Sequence, residues 1–196
     1  MKGIFSLPEG YEPMLSVDLQ KNKRLAVLVN ALALVIAAVL MVLGIVRRPI
    51  EVEIGDPTLF WRLFALAGGY IVYIVLHELV HGVFIRIFSG KRAKYGFTGM
   101  YAYAGSDAYF AKYPYLIIAL APVVIWGAVL AALCALVPPA WFWVVYFVQI
   151  GNLSGAAGDF YVTLRFLRLP REILVRDYGV GMTVFYKGEK NGNGKI

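Results

Sequence analysis

Between residues 25 and 46 the chain carries no charged side chain, and three further stretches, at about 60–88, 115–137 and 140–165, are nearly as apolar. A bilayer's hydrocarbon layer is about 30 Å thick, the length of about 20 helical residues, and inside it every backbone N–H and C=O must find a partner within the protein. Stretches of this length and polarity are expected as membrane-spanning helices, and no other feature limits the fold as much. Composition agrees: 60% of the 196 residues are hydrophobic and 16% charged, against roughly 45–50% and 25% in soluble domains. The expected fold class is an all-α polytopic membrane protein with about four transmembrane helices.

The first stretch follows Lys21, Lys23 and Arg24 and is longer than the 7–15-residue apolar core of a cleaved signal peptide, so it is expected to remain as a span. Trp61 and Arg86 sit near the ends of the second as interface anchors. Pro122 falls inside the third, and Pro138 and Pro139 end it in a tight turn. Four spans put both termini on one side. Of the 19 lysines and arginines, sixteen lie in the N-terminal arm, the segment from Arg86 to Lys112 and the chain from Arg165 onward; Arg47, Arg48 and Arg62 face the other way. The positive-inside rule makes the richer face cytoplasmic. The +7 net charge is thus a topology signal assisted by anionic lipid, and nucleic acid is not an expected partner. The expected organisation is a cytoplasmic arm (1–24), a four-span membrane domain (25–167) and a cytoplasmic tail (168–196). Residues 191–196 are a short Gly/Asn/Lys segment, and the single cysteine, Cys134, can form no internal disulfide.

An ionisable side chain inside lipid is costly and is a functional candidate until explained otherwise. Spans one and three have none. Span two has His77, Glu78 and His81, which form His77-Glu78-Leu79-Val80-His81, an H-E-x-x-H motif using both histidines of the chain. At 3.6 residues per turn, positions i and i+4 share a face, so two imidazoles can hold one metal ion. Glu78 beside them can act as general base on a water activated by that ion. The plainer alternative is a pair of buried histidines satisfied by backbone or water.

Catalytic zinc usually takes three protein ligands, and no third histidine exists. Of the acids after Glu78, namely Asp107, Asp159, Glu172, Asp177 and Glu189, only Asp159 lies in a span. It precedes Arg165 by six residues as His81 precedes Arg86 by five, which puts both at similar depth near the cytoplasmic face. Asp159 is the expected third ligand; the alternative is an acid at a helix end. Asn152, two helical turns before Asp159, is expected on the same face, where its amide can orient substrate or donate to an oxyanion; the alternative is interhelical hydrogen bonding, which also suits Gln149. Gly151, Gly155 and Gly158 leave one side of this span small, for close helix packing or for an approaching substrate strand.

With these residues the chain resembles the membrane-embedded zinc metalloproteases of the site-two protease type. It is most similar to a smaller branch of zincin membrane peptidases, matched by HELVH, by Leu7-Pro8-Glu9-Gly10-Tyr11 in the arm and by Gly158-Asp159 late in the last span. The better-known enzymes carry Leu-Asp-Gly where this chain reads Ala157-Gly158-Asp159-Phe160. The resemblance implies a three-helix core, here spans two to four, and a membrane-associated β element between the first two. Lys94 to Tyr109 suits that role, since Phe97, Gly99, Tyr101, Tyr103 and Gly105 alternate with Thr98, Met100, Ala102 and Ala104. Such an edge can hold an extended substrate; an interfacial hairpin with tyrosine anchors is the alternative. Residues 173–187 read as a second short hairpin around Asp177-Tyr178-Gly179, without evident chemistry.

The reading that joins these features is an intramembrane zinc metalloprotease cutting a membrane protein or peptide substrate. One Zn2+ per chain would be held by His77, His81 and Asp159, with Glu78 and Asn152 catalytic. Its expected location is a prokaryotic cell membrane with both termini cytoplasmic. The ligand set also suits iron, cobalt or manganese. A non-proteolytic metal-binding scaffold or carrier is the alternative, although the spans offer few polar residues for a transport path. Zinc-dependent hydrolysis of a non-peptide amide or ester is a third reading.

Overall fold

A computed structural model describes residues 3–51, 55–99 and 101–188. In chain order the elements are β1 (Tyr11–Asp18), α1 (Lys23–Arg47), α2 (Leu59–Ser89), β2 (Lys94–Phe97), β3 (Ala102–Gly105), β4 (Tyr109–Ala111), α3 (Lys112–Leu136), a 3-10 turn (Pro139–Trp141), α4 (Phe142–Gly155), α5 (Ala157–Leu167), β5 (Leu174–Asp177) and β6 (Gly181–Lys187). Helices α1, α2 and α3 are long and apolar enough to cross a membrane. Their outward faces expose large apolar side chains, among them Leu34, Val46, Phe60, Val124 and Leu136, the kind of surface that lipid covers.

The fourth expected span is not one helix. It breaks at Ala156 (φ −82°, ψ 15°) into α4 and α5, each shorter than a bilayer crossing. The glycines at 151, 155 and 158 weaken helix propensity around that point. The break has a consequence for the site, because the two-turn spacing of Asn152 and Asp159 no longer implies one face.

The second departure from expectation is the amount of β structure. The expected hairpin between α2 and α3 is present as antiparallel β2 and β3, in register from Lys94↔Gly105 to Phe97↔Ala102; Met100 of the alternating pattern lies outside the described residues. The hairpin around Asp177-Tyr178-Gly179 is also present, as β5 and β6, while residues 189–196 lie outside the described residues. Unanticipated is the four-stranded antiparallel sheet β1-β6-β5-β4. Strand β1 was hidden by Pro13, which usually marks an edge or bulge; here the register shifts between Pro13 and Leu15. This sheet joins arm, loop and tail, the three basic segments, at one end of the helices.

The main core lies where that sheet meets the helix ends: Val17, Phe110, Val175 and Val184 pack with Ile85, Ile118, Val162 and Phe166. A smaller cluster of Tyr73, Leu130 and Val148 fills the bundle farther from the sheet. Helix α1 lies against α4, where a Cβ on Gly44 would collide with the Tyr146 ring and the Tyr146 hydroxyl donates to the Leu40 carbonyl at 2.7 Å.

Lys112, only 5% exposed, donates to the carbonyls of Leu167 (3.0 Å) and Leu169 (2.7 Å) at the end of α5. A cation there satisfies carbonyls that have no helical partner and complements the helix dipole. It thereby ties the start of α3 to the end of the helix that carries Asp159. Lys112→Met, which keeps the apolar stem, is expected to cost about 1–3 kcal/mol, read as a lowered unfolding temperature of the detergent-solubilised chain.

Candidate metal centre

In α2 the helical period sets His77 and His81 one turn apart, with ring centroids 5.0 Å apart and planes at 75°. Asp159 falls in the first turn of α5, where a carboxylate is favoured by the helix dipole. Its Oδ2 lies 3.8 Å from His77 Nε2 and its Oδ1 3.9 Å from His81 Nε2, with side-chain exposures of 11%, 12% and 26% for His77, His81 and Asp159. One ligand atom from each of the three lies within 4.8 Å of the others. Two imidazole nitrogens and a carboxylate suit zinc, whose tetrahedral ligand atoms stand roughly 3.3–3.5 Å apart at bonds of about 2.0–2.2 Å. The residues fit such an ion after a small side-chain adjustment.

The trio borders a cavity of about 430 Å³ that Glu78 also lines. Glu78 is half-buried, and among the described residues no side chain hydrogen-bonds to its carboxylate. The cavity reaches from the cluster to strand β3, to Asn30 on α1 and to the β5–β6 turn. Asn30 is the one polar side chain between residues 25 and 46, and it is not ionisable. Among the described residues β3 pairs with β2 alone, and residues 101–104 line the cavity.

Asn152 is elsewhere. It is fully buried, with Oδ1 accepting from the Tyr73 hydroxyl at 3.0 Å and Nδ2 facing Val123 O and Gln149 Oε1, each at 3.4 Å. Asn152, expected on the face of Asp159, lies in α4, across the break at Ala156 from Asp159 in α5, and is not among the residues that line the cavity. Gln149 bonds across to Gly127 O at 3.2 Å, as interhelical bonding suggested. The glycines of this segment differ in their surroundings. A Cβ on Gly151 would collide with the Tyr70 ring, whereas Gly155 and Gly158 have open space beside them and line the cavity.

Two histidine contacts lay outside the sequence reading. His77 Nδ1 is 2.9 Å from the Tyr73 hydroxyl, and His81 Nδ1 is 2.9 Å from the Ile118 carbonyl. Tyr73 stands four residues before His77, so its spacing was a signal, masked by the many aromatic residues of this span. Asp177, in the hairpin that showed no chemistry, also lines the cavity. It accepts from the Tyr115 hydroxyl at 2.6 Å and the Gly179 amide at 2.8 Å.

Residues 70–174 match the model of a family described as "Putative zincin peptidase". The match covers more than half of the chain, which therefore belongs to this family, and membership points to a zinc metallopeptidase. Nothing matches among curated proteins or among solved structures.

Burial raises the Asp177 carboxyl above the ordinary carboxylate range, against the lowering effect of its bonds from Tyr115 and Gly179. A carboxyl whose folded pKa exceeds its unfolded value holds its proton more tightly when folded. Its contribution therefore favours the fold at acid pH and is lost as pH rises through the folded pKa. In metal-free protein the stability of wild type relative to Asp177→Asn is expected to fall as pH is raised from about 4 to about 8, measured by thermal unfolding across that range.

Proposed function

We propose that this chain is an intramembrane zinc metalloprotease that hydrolyses a peptide bond in or near a membrane segment of a protein substrate. The observation that carries this reading is the meeting of His77, His81 and Asp159, from helices far apart in sequence, at a cavity that also holds the Glu78 carboxylate. His77 and His81 through Nε2, and Asp159 through its carboxylate, would hold one zinc ion. Bound there, zinc supplies Lewis acidity that polarises a carbonyl and makes water a nucleophile near neutral pH.

The remaining steps belong to the chain. Glu78 removes a proton from the attacking water and delivers it to the leaving amine, the work of a carboxylate with no competing hydrogen bond. A peptide bond inside a helix is shielded, so the substrate must be extended at the cut. The unpaired edge of β3 along the cavity supports capture by strand addition, and the open space beside Gly155 and Gly158 leaves room for a backbone opposite it. The apolar outer faces of α1, α2 and α3 support action within a bilayer, and the gathering of the basic segments into one sheet supports a cytoplasmic placement of that end and of both termini.

Metal content by mass spectrometry on detergent-purified protein tests the site. About one zinc per chain is expected in wild type and in Glu78→Gln, and loss of metal in His77→Ala and Asp159→Ala. Glu78→Gln is expected to cut peptide hydrolysis by about 10²–10⁴-fold, whereas a metal carrier would tolerate that change. Wild type that carries no metal and cannot be loaded would sink the proposal.

A further inference from the structure

A histidine binds a metal through a nitrogen lone pair, and which nitrogen carries it depends on what the other one meets. For His81 the partner is the Ile118 carbonyl, 2.9 Å from Nδ1. A carbonyl only accepts, so Nδ1 must carry the proton and Nε2 the lone pair. That carbonyl is available because of Pro122. In a regular helix the Ile118 oxygen would accept from the N–H of residue 122, four positions on, and proline has none. Pro122 is fully buried in α3, where an abandoned carbonyl is costly without a new donor. His81 supplies the donor.

For His77 the same outcome follows from a longer chain of bonds. Val123 O, again a pure acceptor, faces one end of the Asn152 amide, so that end is Nδ2 and the other is Oδ1. Oδ1 in turn accepts from the Tyr73 hydroxyl at 3.0 Å. The hydroxyl has a single hydrogen, now committed to Asn152, and can only accept from His77 Nδ1 at 2.9 Å. His77 is thereby protonated at Nδ1 and presents its Nε2 lone pair. Both Nε2 atoms are the ones that face Asp159.

We infer that Tyr73, braced by Asn152, and the Ile118 carbonyl, released by Pro122, are positioning elements that hold the two imidazoles in the tautomer and orientation needed for metal binding. The inference rests on the metal-site reading above and adds residues that touch neither substrate nor metal. Asn152 changes role accordingly, from a group at the substrate to a group acting through Tyr73.

Zinc affinity of the full detergent-purified chain, measured by competition with a chromophoric chelator, tests this. Tyr73→Phe, which removes one hydroxyl, is expected to weaken binding ten- to hundredfold, the usual scale for such partners. Asn152→Leu is expected to weaken it as well, but to add nothing in the Tyr73→Phe background, because Asn152 acts only through that hydroxyl. Independent packing roles would give additive losses instead and would overturn the inference. Pro122→Ala restores an N–H that competes for the Ile118 carbonyl and is expected to weaken binding; unchanged affinity there would overturn the His81 half. Wild-type affinity in Tyr73→Phe would overturn the His77 half. Should Tyr73→Phe fail to fold, Asn152→Leu against wild type tests the same link. Wild type that binds no zinc would instead overturn the metal reading underneath.

Discussion

A backbone group that loses its helical partner inside an apolar layer must find another, because neither lipid nor a dry core offers one. Much of the arrangement around the cavity follows from that requirement. Pro122 leaves the Ile118 carbonyl free, and His81 takes it. Leu167 and Leu169, at the end of α5, have their carbonyls taken by Lys112 from the start of α3. At Ala156 the helix that would have crossed the layer is interrupted, and α5 restarts with Asp159 in its first turn. In each case an irregularity that would be a defect in an isolated helix is met by a polar side chain or sets the start of the helix that carries Asp159.

The sheet serves the same spot from the other side. Strands β1, β4, β5 and β6 come from arm, loop and tail, and the core they form with Ile85, Ile118, Val162 and Phe166 holds together the ends of α2, α3 and α5. Two of those helices carry the candidate ligands, and the third carries the carbonyl that orients one of them. Packing in the sheet core therefore bears on the spacing between Asp159 and the histidines, although no sheet residue belongs to the trio. Asp177 reaches the cavity by the same route, because the β5–β6 hairpin folds back against Tyr115 at the start of α3.

The candidate trio and the long helices were legible because both depend on local rules. Apolar runs announce spans, the i and i+4 spacing places both imidazoles, and the scarcity of acids in the spans singles out Asp159. The four-stranded sheet was not legible, since its pairings join residues as distant as Tyr11 and Lys187 and β1 contains a proline. The spacing of Asn152 was a weaker guide: two turns to Asp159 imply one face only in an unbroken helix, and residue 156 is not helical. Tyr73 carried the right spacing but no mark to distinguish it from neighbours such as Tyr70 and Phe64. Asp177 carried no local mark at all, because its place beside the cavity comes from the turn of a distant hairpin.

The distribution of polar groups along the bundle bears on the choice between hydrolysis and transport. A carrier needs a polar route that can open to each side in turn. Here the cavity at the trio lies at the sheet end, between the trio, β3 and the β5–β6 turn. Beyond Tyr73 and Asn152 the interior is closed by Leu130 and Val148 with Leu66, Trp126 and Val145 around them. Among the described residues that cluster is built, apart from Tyr73 and the Trp126 indole, of aliphatic side chains, a poor path for an ion. Water and an extended peptide would need only the sheet end, where Glu78 and strand β3, paired among the described residues with β2 alone, line one space. A cavity at the sheet end, backed by an apolar cluster, supports the hydrolytic reading over the carrier.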